Sequence, residues 1–148
     1  MPMFEQYVSK LQAPDVIIHL GAGLCQELDC WRASGAKRII LVEPNPELLS
    51  ELQSRVGATE PIEIVSSAVS DQAGCQPLVL YNFPLASSLR TPINLKTMPG
   101  LKQIGSTLVE AKPIDELLST LQLSEDGEHW LVIDTPGEEA SILEGLER

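Results

Sequence analysis

Apolar residues along this chain alternate between two rhythms. Val16-Ile17-Ile18-His19-Leu20 is a compact, mostly β-branched run, and Arg38 to Val42 (RIILV) and Trp130 to Ile133 (WLVI) repeat it. Runs this short and this continuously apolar suit strands buried on both faces. Between them the apolar residues move to helical spacing. Phe4, Val8 and Leu11 precede the first run, Leu24, Leu28 and Trp31 follow it, and Leu48, Leu49, Leu52 and Val56 follow the second. Breakers agree with this division. Pro14 ends the first helix, Ser34-Gly35 the second, and Asn45 with Pro46 supplies an N-cap and a first-turn proline for the third. A third strand is predicted over Ile62 to Val69. The order strand, helix, strand, helix, strand predicts an α/β domain: a mostly parallel sheet with helices on both faces.

The second half is less regular. Asp71-Gln72-Ala73-Gly74 is a turn signal, and Pro77 to Tyr81 reads as a strand returning antiparallel. Pro84, Pro92, Pro99, Gly100 and Gly105 predict loop over residues 83–105. Thr107 to Ala111 is a short strand, and Ile114, Leu117, Leu118 and Leu121 mark a helix. Asp126-Gly127 is a turn before the WLVI strand. Glu138 to Leu146 is the last helix, with Ala140, Leu143 and Leu146 facing inward. No repeat, low-complexity tract or linker divides the chain. One domain is expected over 1–148, with a leading helix at 3–12 and a core from 15 onward.

Bulk properties narrow the function classes. At 148 residues, 43% hydrophobic and 21% charged, the chain can bury one core. A formal net charge of -11 opposes encounter with phosphate backbones, so nucleic acid is not an expected partner. No apolar run approaches the ~20 residues that span a bilayer, and the first residues lack a signal-peptide pattern. No membrane partner and a cytoplasmic location are therefore expected. The three cysteines, Cys25, Cys30 and Cys75, form no C-x-x-C pair, and no histidine pair has metal-ligand spacing. Reduced, buried thiols and no metal are the expectation.

In an open parallel sheet, ligands bind beyond the carboxyl ends of the strands. Three such ends carry suggestive residues. Gly21-Ala22-Gly23 lets backbone approach a ligand closely and precedes a helix whose first amides are unpaired. Glu43 lies roughly 20 positions beyond that turn, where a carboxylate can accept hydrogen bonds from both hydroxyls of a ribose. Asp134 ends the WLVI strand. Each has a plain structural alternative: a glycine turn needed for geometry, a charge at a helix start, and a helix cap. In order and at this spacing they point to an adenosine-type ligand. Gln26 stands where a G-x-G-x-x-G fingerprint has its last glycine, which counts against a nicotinamide dinucleotide.

These strings also resemble a known family. VIIHLGAG, LVEPNPELLSEL, SSAVS with Gly74 after it, ASSL, PIDELL and LVIDTPGEEASILEGL follow one another in the order of the FkbM-type methyltransferases, from about Val16 to the last residue. The resemblance implies a Rossmann-like class I methyltransferase fold, S-adenosylmethionine as cofactor, and O-methylation of a sugar or small-metabolite hydroxyl. It places His19, Gly21, Ala22 and Gly23 beside the methionine part and Glu43 with Pro44 at the ribose. Ala68 and Val69 border the adenine, and Asp134 and Glu138 are the candidate catalytic residues.

The chain departs from the family pattern at several positions. His19 replaces an acidic residue, Gly23 an asparagine, Cys25 a glycine, Val132 a lysine and Pro136 an acidic residue. The family's strand order, 3-2-1-4-5-7-6, extends three strands beyond the WLVI strand, so the fold is expected to be C-terminally truncated. Its fourth strand then presents an unpaired edge, a liability in isolation. The chain is either part of a longer protein or a homo-oligomer. The function is either methyl transfer or a degenerate, non-catalytic domain kept for binding or assembly. On the cofactor reading, Glu43→Ala is expected to abolish affinity while leaving the melting temperature nearly unchanged.

Overall fold

The computed structural model describes residues 2–58, 61–91 and 98–146. Four parallel strands form the main sheet: β1 (Val16–Leu20), β2 (Arg38–Val42), β3 (Ile62–Val65) and β7 (His129–Ile133), in the order β3-β2-β1-β7. Every residue of β1 is buried, whereas every residue of β7 is only half-buried. Side chains alternate between the two faces of a strand, and the core divides accordingly. Ile17, Ile39 and Leu41 face one way and pack with Val8 of α1 (Pro2–Val8), Trp31 of α2 (Leu28–Ala33), and Leu52 and Val56 of α3 (Pro46–Val56). Val16, Ile18, Leu20, Ile40 and Val42 face the other way. They meet Ile114 and Leu117 of α4 (Ile114–Thr120) and Ile142 of α5 (Glu139–Leu146). The expected mostly parallel sheet with helices on both faces is present.

A second, three-stranded sheet joins β4 (Ala68–Val69), β5 (Gly74–Tyr81) and β6 (Gln103–Lys112) in the order β4-β6-β5. It corrects the single strand expected over Ile62 to Val69. The chain turns sharply at Ser67, whose N–H donates to the carbonyl of Val65 at 3.1 Å. Residues before the turn pair with β2, and those after it pair with β6. Apolar residues flank the turn on both sides, so the two pieces read as one strand interrupted by Ser66 and Ser67. β5 does run antiparallel, with β6 as its partner, and it begins at Gly74 rather than Pro77. β6 also takes in Gln103 to Gly105, and a 3-10 turn spans Pro84–Ala86, so the expected loop is shorter than 83–105. Its residues 92–97, Pro92 included, lie outside the described residues.

Three helix readings need correction. The first helix ends at Val8, leaving Leu11 exposed, while Phe4 meets Trp31 edge-on at 5.5 Å. The second begins at Leu28, not Leu24, because Gly23 and Cys25 hold left-handed backbone angles that no α-helix contains. In α5 the buried residue is Ile142, while Ala140, Leu143 and Leu146 are exposed. Gly145 lies so close to Ile114 that a Cβ there would sit 2.7 Å from its side chain. The Ile142–Gly145 face is the one seated on α4, and the leucines point away. The outer edge of β7 has no strand partner among the described residues. No helix among them is long and apolar enough to cross a membrane.

Candidate cofactor cleft

The carboxyl ends of β1, β2 and β7 open onto one cleft with about 940 Å³ of unfilled space, counting its mouth. Gly21, Ala22 and Gly23 form its floor, Glu43 and Pro44 one wall, and Ala68 and Val69 another, with Asp134 and Glu138 on the far side. Every site residue expected from the sequence except His19 therefore lines one space.

The floor is built on backbone that only glycine tolerates well. Gly21 has φ +71°, and a Cβ there would lie 2.0 Å from the carbonyl oxygen of Asp134. Gly21 and Ala22 both donate their N–H groups to the carbonyl of Val42, at 2.9 and 3.0 Å, which ties the turn to the tip of β2. Gly23, with φ +54°, donates its N–H to Glu43 Oε2 at 2.7 Å. The other carboxylate oxygen of Glu43 accepts from the Asn45 N–H, also at 2.7 Å. Asn45 in turn caps α3 through the Glu47 N–H. Glu43 is thus a buried brace joining the glycine turn to the start of α3. Burial holds its carboxyl above the ordinary carboxylate range, and the two backbone donors offset part of that rise. A carboxylate offers about four acceptor positions, so this brace leaves about two for a ligand.

Leu85 overlies Gly23, where an added Cβ would approach its Cδ2 to 2.8 Å. It belongs to the segment Pro84–Leu89, which carries the ASSL string and forms the cleft's outer wall. Ser88 Oγ fastens that wall to the tip of β7 by donating to the Pro136 carbonyl at 2.5 Å. Arg90 completes the attachment. Its Nε donates to Glu138 Oε1, and its Nη2 to Glu138 Oε2 at 3.3 Å. Glu138 also accepts from Ser141 Oγ at 2.9 Å, so both oxygens of this buried carboxylate are engaged. Asp134 is exposed, and its carboxylate has no partner among the described residues. Between them Thr135 lines the cleft, and its hydroxyl is buried without a hydrogen-bond partner among the described residues.

His19 sits beneath the floor, 2% exposed. Its Nδ1 accepts from the Trp31 indole N–H at 3.2 Å, and the rings meet edge to face. Burial holds the imidazole below its ordinary pKa, against the opposing pull of Glu27 and Asp134. Nothing in the sequence signals the Arg90–Glu138 clamp or Leu85, since Leu85 and Arg90 lie in an irregular segment without periodicity. The sequence did single out ASSL as a string, though not the role of its serines.

No family model matches the sequence. No curated protein matches it either. Among solved structures, methyltransferase FkbM from Methylobacillus flagellatus KT superposes with a TM-score of 0.57 at 16% identity, over 100% of this chain and 36% of that one. This chain shares that protein's fold. The sheet order β3-β2-β1-β7 matches the 3-2-1-4 half of the order that the sequence resemblance implied. This methyltransferase-type fold puts the glycine turn and Glu43 at adjacent strand tips. The chain spans only 36% of the similar protein's length.

Proposed function

We propose that this chain is a divergent FkbM-type methyltransferase domain that binds S-adenosylmethionine and serves O-methylation of a sugar or small-metabolite hydroxyl. The observation that carries the reading is the contact between the Gly23 amide and Glu43, which joins a backbone cradle to a carboxylate with acceptor capacity to spare. Glu43 would hold the ribose diol, Gly21 to Gly23 the methionine part, and Ala68 with Val69 the adenine. When bound, the cofactor supplies a methyl group already activated on a sulfonium, so the protein's task is positioning.

A hydroxyl acceptor must also lose its proton. Asp134 is the candidate base, because its carboxylate is free and faces the cleft. Glu138, bound by Arg90 and Ser141, instead holds the outer wall in place. Calorimetric titration with S-adenosylhomocysteine tests the reading. Saturable heat is expected at neutral pH, and it should weaken on acidification from a higher pH than an ordinary carboxylate would give, as Glu43 takes up its proton. A folded sample that gives no heat contradicts it.

Two observations favour a second reading, a degenerate, non-catalytic domain kept for binding or assembly. Leu85 covers Gly23, and His19 faces Trp31 rather than the cleft. Under that reading no hydroxyl acceptor is methylated, and Asp134→Asn leaves every measured property unchanged.

A further inference from the structure

We propose that His19, Cys25 and Glu27 form a mixed-donor site for a zinc-class divalent cation beneath the floor of the cleft. The imidazole nitrogen, thiol sulfur and carboxylate oxygen of these residues all lie within 4.8 Å of one another. Zinc binds this donor set at ~2.0–2.3 Å in a tetrahedron, which puts its ligands roughly 3.5 Å apart. Cys25 Sγ already stands 4.0 Å from His19 Nδ1. Most of the remaining contraction falls to Glu27, which is only half-buried and has a side chain that can rotate inward.

Three further observations single the cluster out. Cys25 is a non-glycine residue at φ +46°, so the loop holds the thiol in place at a conformational cost. The Glu27 carboxylate has no hydrogen-bond or ion-pair partner among the described residues. The Trp31 indole N–H donates to His19 Nδ1, a single weak positive dipole at an acceptor that a cation would satisfy more fully.

Charge supports a divalent ion. A neutral imidazole, a thiolate and a carboxylate together balance two positive charges. Binding replaces the thiol proton, which is released to solvent, and displaces the indole N–H from Nδ1. Softness selects the metal class: thiolate with imidazole favours zinc over magnesium or calcium. Cys25 and Glu27 both line the cleft, so the fourth coordination position faces it. This inference does not depend on the cofactor reading.

The test uses the full chain carrying Cys75→Ser, which removes the exposed thiol. Cobalt(II) is titrated in as a spectroscopic stand-in, followed by competition with zinc. One equivalent is expected to bind, with a thiolate-to-cobalt charge-transfer band and a change in tryptophan fluorescence from loss of the Trp31 hydrogen bond. Cys25→Ser should abolish the band. Glu27→Gln, at a half-buried position where folding is not in question, should weaken binding by at least the ~10-fold that even outer-shell changes cost. The proposal is overturned by the absence of the band, by its persistence in Cys25→Ser, or by unchanged affinity in Glu27→Gln.

Discussion

Glu43 shows how one side chain can be both structural and functional. The sequence placed it at a strand tip as a ligand for hydroxyls and implied that its loss would leave the fold untouched. In the structure both of its oxygens already accept buried backbone N–H groups. Glu43→Ala is therefore expected to lower the melting temperature markedly, at about 1–3 kcal/mol for each donor left unsatisfied. Thermal denaturation checks this, and an unchanged midpoint would refute the brace. His19 makes a second residue-scale prediction. Its folded pKa lies below the ordinary 6.5 because the ring is buried. The unfolded chain thus binds its proton first as pH falls. The associated stability is fully present above pH 6.5 and is lost progressively below it. Denaturant unfolding across that range should show a steeper loss in the parent chain than in His19→Gln, which offers Trp31 an acceptor that does not titrate.

At the scale of elements, the strands were legible because buried parallel strands announce themselves as continuous apolar runs. Three of the four strands of the main sheet were located this way, β3 was read as the start of a longer strand, and Asn45 with Pro46 marked the start of α3. The inward face of α5 was not, since its leucines suggested one face while Ile142 and Gly145 lie on another. A glycine that permits close packing leaves no hydrophobic signal. The glycine turn is the element on which the cleft depends. Gly21→Ala would drive a methyl group into the Asp134 carbonyl and force a left-handed backbone on alanine. A loss of about 3 kcal/mol or more is expected. Equilibrium unfolding measures it, and a loss below about 1 kcal/mol would show that the two strand tips are not locked together. The family's glycine at the Cys25 position finds a reason here as well: the backbone is left-handed there, and this chain places a cysteine on it.

For the molecule as a whole, the decisive feature is that one half of the main sheet ends in an open edge. β7 is half-buried throughout, and its outer side has no strand partner among the described residues. Unpaired edges of this kind promote strand-to-strand association. The 148-residue chain is expected to self-associate as its concentration rises, which sedimentation velocity would detect. A single monomeric species at all concentrations would show that the edge is protected. The sequence foretold this edge only through the family resemblance, because periodicity says nothing about what lies beside a strand. The convergence of Gly21, Gly23 and Glu43 was legible from spacing. The outer wall tied down by Arg90 and Ser88 was not, since its contacts join positions far apart in the chain.

The central claim concerns where an adenosyl group would lie. A crystal structure of the chain with S-adenosylhomocysteine tests it most directly. The account predicts both ribose hydroxyls within hydrogen-bonding distance of the Glu43 carboxylate and the amino-acid end over Gly21 to Gly23. A ligand bound elsewhere, or Leu85 still seated on Gly23 in crystals soaked to saturation, would contradict it.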